Sequence, residues 1–240
     1  YVYQNACKSR CLDYCCVATD DPRVAKAVKA FGGEVELTDA RWKHSTERCW
    51  EVCQRLKRRG AEFDVVVNVQ CDEPFIQPHH IEIVADLVAG SDAVMGTLAR
   101  HEHREEEEEN AHSVRCALDA DGNALYFSRA SVPPDQDQIA AVSYKLASGI
   151  CGYRSDFLPN IRKLPRASSG SKAGSHSQQR GAASSTDVDW LMVNRMIGAG
   201  HQVKVDVMDE VDVRGVKTRE QLERINRALK EGSLVMTPEV

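Results

Sequence analysis

The sequence predicts an α/β protein: a largely parallel sheet sandwiched between helices, with a β-hairpin subregion. Three observations carry this. Short apolar runs alternate with amphipathic ones through the first half of the chain. The run Phe63-Asp64-Val65-Val66-Val67-Asn68-Val69-Gln70 lacks in/out alternation, as expected for a strand covered on both faces. Asp121-Gly122, a favoured tight-turn pair, separates two further apolar runs.

Taken in order, Cys15 to Thr19 is a brief strand halted at Asp20-Asp21-Pro22. An Asp-Pro step starts a helix, because the carboxylate accepts orphan N–H groups and proline fits the first helical position. Val24, Ala27, Val28 and Phe31 recur on one helix face, and Gly32-Gly33 ends it. A strand over 34–37 leads through a polar loop to a helix with Cys49, Val52, Cys53 and Leu56 on one stripe, stopping at Gly60. The Val-rich strand follows, then a helix between Pro78 and Gly90, then a strand over 93–99. Residues 114–118 and 124–127 are the hairpin arms; 144–153 and 203–207 read as strands, 190–197 and 218–229 as helices. Two polar segments, 101–112 and 167–186, are read as insertions in a single domain spanning 1–240, the second being Ser/Gly/Ala/Gln-rich and flexible.

The formal charge is −5, from 31 Lys and Arg against 36 Asp and Glu, and Glu105 to Glu109 alone supplies five negatives. The remainder is neutral, which excludes the clustered basic surface of a nucleic-acid binder. No apolar stretch approaches the roughly 20 residues of a membrane helix, so no membrane insertion is expected. The nine cysteines are odd in number and lack a CxxC pair. Cys7, Cys11 and Cys15, like Cys49 and Cys53, recur every four residues, a spacing that stacks thiols on a helix. They are read as core filling in a reducing, cytoplasmic compartment, with a disulfide or metal framework as the alternative. His79-His80 and His101/His103 lack a third ligand and are read as surface residues.

In open parallel sheets ligands bind beyond the carboxyl ends of the strands. Gln70-Cys71-Asp72-Glu73-Pro74 ends the Val-rich strand with acceptors and carboxylates in quick succession. Two readings of Asp72 follow from the residues alone: a carboxylate for Mg²⁺, or a cap on the next turn.

Val67 to Pro74 resembles the VNVQGDEP motif of 3-deoxy-manno-octulosonate (KDO) cytidylyltransferases. Val17 to Asp21 resembles that family's VATDD, Phe31 to Val35 its GGEV, and Ser45-Thr46-Glu47-Arg48 its GTER. Ala124 to Ala130 resembles ALYFSRA, and Gly149 to Tyr153 resembles GIYGY, all in family order over residues 1 to about 160. The resemblance implies a Rossmann-like nucleotidyltransferase fold with a mixed, mostly parallel sheet. It implies an enzyme that joins CTP and KDO into CMP-KDO and pyrophosphate, as a homodimer. By the same resemblance Asp72 holds Mg²⁺ and is catalytic with Arg129, whose guanidinium suits the sugar-acid carboxylate. Arg48, Gln70, Glu73 and Ser128 are the expected substrate- and nucleotide-binding residues.

Departures accompany the match. The family's N-terminal phosphate-binding segment has no counterpart before Tyr1, so the sequence is expected to be a fragment with a gap in its sheet and strand edges unpaired. Lys217 stands where the second metal aspartate is expected, Ala147 replaces a histidine, and Met192-Val193 replace a Glu-Gln pair. Ser45 and Cys71 replace glycines. The alternatives are therefore a catalytically impaired paralogue or interaction subunit of the same fold, or a cytidylyltransferase for another sugar acid; little activity is expected of this chain on its own.

Overall fold

The computed structural model describes residues 1–42, 44–102, 113–130, 144–164, 190–209, 215–216 and 218–231. In chain order the elements are α1 (Val2–Ala6), β1 (Val17–Thr19), α2 (Pro22–Ala30), β2 (Val35–Leu37), α3 (Ser45–Arg58), β3 (Val65–Asn68), α4 (Pro78–Ala89) and β4 (Met95–His101). The hairpin strands β5 (Arg115–Leu118) and β6 (Ala124–Ser128) follow. Then come β7 (Lys145–Arg154), α5 (Leu158–Ile161), α6 (Trp190–Gly198), β8 (Val203–Val207) and α7 (Arg219–Lys230).

Several expected elements start for the local reason the sequence suggests. Asp21 caps α2, accepting the Arg23 N–H at 2.8 Å with Pro22 in the first turn. Arg23 in turn holds the Asp21 carboxyl down to about 2. Thr218 and Gln221 form a reciprocal capping box at the start of α7. The Asp-Gly turn is longer than the two-residue form. Asp119 accepts from the Asp121 and Asn123 backbone N–H groups, and Gly122 takes φ +77°.

The cysteine periodicity at the N-terminus does not make a helix. α1 ends at Ala6, and Cys7 and Cys11 are exposed rather than core. The reason is tertiary: the Arg10 N–H bonds Glu82 of α4 at 2.8 Å instead of the carbonyl one turn back. Cys116 and Cys151 are buried, and Cys53 of α3 packs against the main core, as expected of small apolar side chains. His80 is also no surface residue; it is 1% exposed and its Nδ1 accepts the Gln77 N–H at the start of α4.

The main sheet is mixed. β4 and β8 pair in parallel, whereas β7 runs antiparallel to β3, β4 and β5. β7 is the longest strand, and one of its edges is shared: β5 pairs with its start at Lys145 and Leu146, and β3 with its end from Cys151 to Arg154. Between them, at Ser148 and Gly149, β7 bulges; its register against β4 shifts between Thr97 and Ala99. β1 and β2 form a separate parallel pair that shares no ladder with this sheet.

Helices cover both faces. On one, Ile76, Ile81, Val84, Leu98 and Ile150 bury α4 against the sheet, with Ala6 of α1. On the other, Phe127, Tyr153, Leu158, Met192, Val193 and Met196 join α5, α6 and the inner stripe of α3. The hairpin tip reaches the far strand, where the Val205 N–H donates to the Gly122 carbonyl at 2.9 Å. Among the described residues no helix is long and apolar enough to cross a membrane.

Candidate functional site

Because β3 and β4 both oppose β7 and β8 parallels β4, the carboxyl ends of all three lie on one edge of the sheet. That edge is where an open α/β sheet receives ligands. The segment 70–73 leaves β3 there and settles against the bulge of β7. Gly149 donates its N–H to Glu73 Oε1 at 2.5 Å, and the Ser148 hydroxyl donates to Oε2 at 3.1 Å. A Cβ on Gly149 would stand 2.9 Å from Glu73 Cδ and 3.0 Å from Gln70 Cγ, too close for either to stay. Asp72 is half-buried between these anchors, and its carbonyl accepts the Val216 N–H at 2.6 Å.

The start of α3 forms the adjoining wall. Ser45 Oγ accepts from Asn68 Nδ2 at 2.9 Å and from Gln70 Nε2 at 3.1 Å, so one hydroxyl orients both amides at the end of β3. Arg48, one turn on, donates to Thr38 Oγ1 at 2.7 Å and to the Trp42 carbonyl at 3.0 Å, and pairs with Asp20 at 2.9 Å. It therefore ties the end of β1 and the 38–42 loop to α3. Sequence reasoning placed Asp20 at a strand exit without linking it to Arg48, since nothing in the spacing of two residues 28 apart encodes that contact.

The root of the hairpin makes the opposite wall. Arg100, Leu146, Arg115 and Ser128 lie in register across β4, β7, β5 and β6, so their side chains share one face. Arg115 forms a two-pronged pair with Glu102, at 2.6 and 2.5 Å, with side chains 10% and 2% exposed. Its Nη1 also donates to the Arg129 carbonyl at 3.2 Å. Ser128 accepts the Ala130 N–H at 2.9 Å, and the Arg129 residue is exposed. Asn194 of α6 holds this strand from behind, accepting from Phe127 N and donating to Phe127 O, each at 2.8 Å. Arg100, Glu102, Arg115 and Asn194 were all missed in the sequence; a charge at an apolar strand run was the available signal for Arg100 and Arg115, whereas Glu102 falls in the segment read as a polar insertion and Asn194 is an uncharged residue of α6.

Five of the six expected site residues thus fall into two groups on one edge. Gln70, Asp72 and Glu73 abut the bulge of β7; Ser128 and Arg129 stand one strand beyond its first residues. Arg48 lies on the β1 side and joins them through α3. Ala147 packs partly against the core opposite Ala99, and Met192 and Val193 are core residues, 6% and 1% exposed. Lys217 and His103 lie outside the described residues, as does nearly all of 101–112 and the whole of 167–186. His101 Nδ1 lies 2.8 Å from Asp209 Oδ1.

Burial pushes up the thiols below the site, to about 12 for both Cys116 and Cys151. The Cys71 thiol is raised too, first by burial and then by the neighbouring Asp72 charge. No group of three His, Cys, Asp or Glu among the described residues would cage a metal unaided. Mg²⁺, however, accepts one carboxylate alongside phosphate oxygens and water. The Asp72 carboxylate at the sheet edge fits that donor set, and so fits a nucleotide-bound Mg²⁺.

Residues 1–168 match the family model described as Cytidylyltransferase. The 3-deoxy-manno-octulosonate cytidylyltransferase of Bacteroides thetaiotaomicron is 36% identical over 230 residues, covering 92% of this chain and 84% of the relative. That of Photobacterium profundum is 38% identical over 236 residues, covering 95% and 87%. The solved structure of CMP:2-keto-3-deoxy-manno-octonic acid synthetase complexed with CTP superposes with a TM-score of 0.77 at 29% identity, covering 97% of this chain and 87% of that one.

Proposed function

The chain belongs to the 3-deoxy-manno-octulosonate cytidylyltransferase family, and from that premise we propose that it transfers the cytidylyl group of CTP to KDO, giving CMP-KDO and pyrophosphate. The observation that carries this reading is the placement of the 70–73 segment and the root of the hairpin along one edge of β7, at the carboxyl ends of β3 and β4.

In the reaction, the anomeric hydroxyl oxygen of the sugar acid bonds to the α-phosphorus. The bond from that phosphorus to the bridging oxygen breaks, and pyrophosphate leaves with the electron pair; the hydroxyl proton passes to solvent. Such a transfer depends on alignment and on neutralising phosphate charge. Asp72 would hold a Mg²⁺ that, when bound, supplies that neutralisation. Arg129 receives the carboxylate of KDO, a bidentate match for guanidinium. Gln70 and Ser128 contribute polar contacts to the bound substrates, while Arg48 and Glu73 act on binding through the segments they tie down. Incubation with CTP, KDO and MgCl₂, followed by assay of pyrophosphate and CMP-KDO, tests the reading. Product is expected from the unaltered chain, at the low rate its departures from the family motifs imply, and not from Asp72→Asn; release of pyrophosphate independent of KDO would refute it.

A second reading, a family member that binds CTP without turning it over, is favoured by Met192 and Val193, which offer only apolar side chains to the core where a polar pair is expected. Thermal stabilisation by CTP with Mg²⁺ but no pyrophosphate release would select it. A cytoplasmic homodimer completes the proposal. The exposed Leu125 and Tyr126 of β6 supply apolar surface for such contact, and sedimentation measures the assembly.

A further inference from the structure

We infer that Glu73 is a positioning residue for Asp72, acting as the plug of the bulge in β7 rather than by touching substrate. The inference rests on the cytidylyl-transfer reading only for what Asp72 does once positioned.

The bulge is bonded on both sides. Thr97 Oγ1 on β4 donates to the Ile150 carbonyl at 2.7 Å, while on the opposite edge Glu73 accepts from Gly149 N and Ser148 Oγ. Thr97 and Ser148 are fully buried and Glu73 is 8% exposed. A bulge leaves backbone groups out of the ladder, and a buried unpaired N–H is costly. Here a carboxylate from the next segment satisfies the Gly149 N–H, and the glycine provides the room it needs. Both oxygens of Glu73 therefore face β7, not the open edge.

The same residue sets its neighbour. The Glu73 N–H donates to the Gln70 carbonyl at 3.2 Å, closing a tight turn with Asp72 inside it. Gln70 is held by Ser45 at one end of that turn and Glu73 by the bulge at the other. Asp72 is thus fixed from both flanks, and its carbonyl is left to receive Val216. A carboxylate that must meet a metal and a triphosphate needs to be held this closely.

Amide hydrogen exchange at Val216 and Gly149, which requires no ligand, provides a direct test in Glu73→Gln and in the milder Ser148→Ala. Glu73→Gln is expected to speed exchange at both amides about tenfold or more, with Val205 and the centre of α4 unchanged. Ser148→Ala, which removes one of the two bonds to Glu73 together with the Ile150 N–H contact to Ser148 Oγ at 3.3 Å, is expected to give about a threefold change at Val216. In parallel, Mn²⁺ binding in the presence of CTP, read by electron paramagnetic resonance, is expected to weaken about tenfold in Glu73→Gln while the KM for KDO stays constant. Uniform acceleration of all amides would reduce Glu73 to a general stability role and overturn the inference. So would unchanged exchange at Val216 in both variants. If the unaltered chain binds no Mn²⁺ with CTP, the functional reading fails, while the exchange data still decide the positioning role.

Discussion

Two buried glutamates brace the candidate site from opposite sides, and they are neutralised in different ways. Glu73 is set against β7 by neutral donors, a backbone N–H and a hydroxyl. Glu102 is set against the root of the hairpin by the guanidinium of Arg115. The first arrangement keeps one of its two bonds when its carboxylate becomes an amide, since one acceptor oxygen remains, and leaves no charge without a counter-ion. The second strands a buried cation when the carboxylate is lost. The edge near β3 is therefore shaped by backbone geometry, and the edge near β5 by a compensated charge pair.

The largest effect that would sharpen this contrast is expected from Glu102→Ala. Leaving Arg115 buried and unpaired is expected to cost about 3–5 kcal/mol, measured as a shift in urea midpoint. A loss below about 1 kcal/mol, the range of an exposed pair, would mean that solvent already screens it. Gly149→Ala attacks the other brace. Its Cβ would push Glu73 and Gln70 outward, and a loss of about 1–3 kcal/mol is expected, as for overpacking elsewhere. A neutral outcome would show that the 70–73 segment can rise without penalty.

Two cysteines report on the braces separately, Cys116 on β5 and Cys151 on β7. Both thiols are held near 12 by burial, above their ordinary value of 9.0. Their burial contributes stability below pH 9 that is lost progressively as the pH rises from 9 towards about 12, because only the unfolded chain ionises there. The melting temperature should fall over that window. In Glu102→Ala, alkylation of Cys116 should accelerate more than that of Cys151; in Gly149→Ala the order should reverse. The smallest change in stability, within about 0.5 kcal/mol, is expected from Arg129→Ala, because the residue is exposed. Its effect should appear in the KM for KDO, and an unaltered KM would remove Arg129 from the sugar-acid site.

Particular residues show why some of this was legible beforehand. Asp21-Pro22 starts a helix and Gly32-Gly33 ends one because capping acts within a few residues, so the sequence window contains the whole interaction. The hairpin was legible for the same reason, although Asp119 rather than Asp121 organises its turn. Cys7, Cys11 and Cys15 misled because a four-residue repeat suggests a helix only if nothing distant competes for the backbone, and Glu82 does. At the site, the motif resemblance selected Gln70, Asp72 and Glu73 together, but gave no sign that Glu73 turns onto the bulge of β7.

By itself the sequence determined the order and type of most elements, the family, and the strand exit at which acidic residues gather. These follow from periodicity, capping and motif register, all of which act over short spans of chain. Only the tertiary structure decided that β7 is bulged and shared between β3 and β5, that Arg48 serves Asp20 as well as α3, and that Glu102 answers Arg115. Those pairings join residues far apart in the chain, and their energies arise from burial that exists only once the sheet has closed around them.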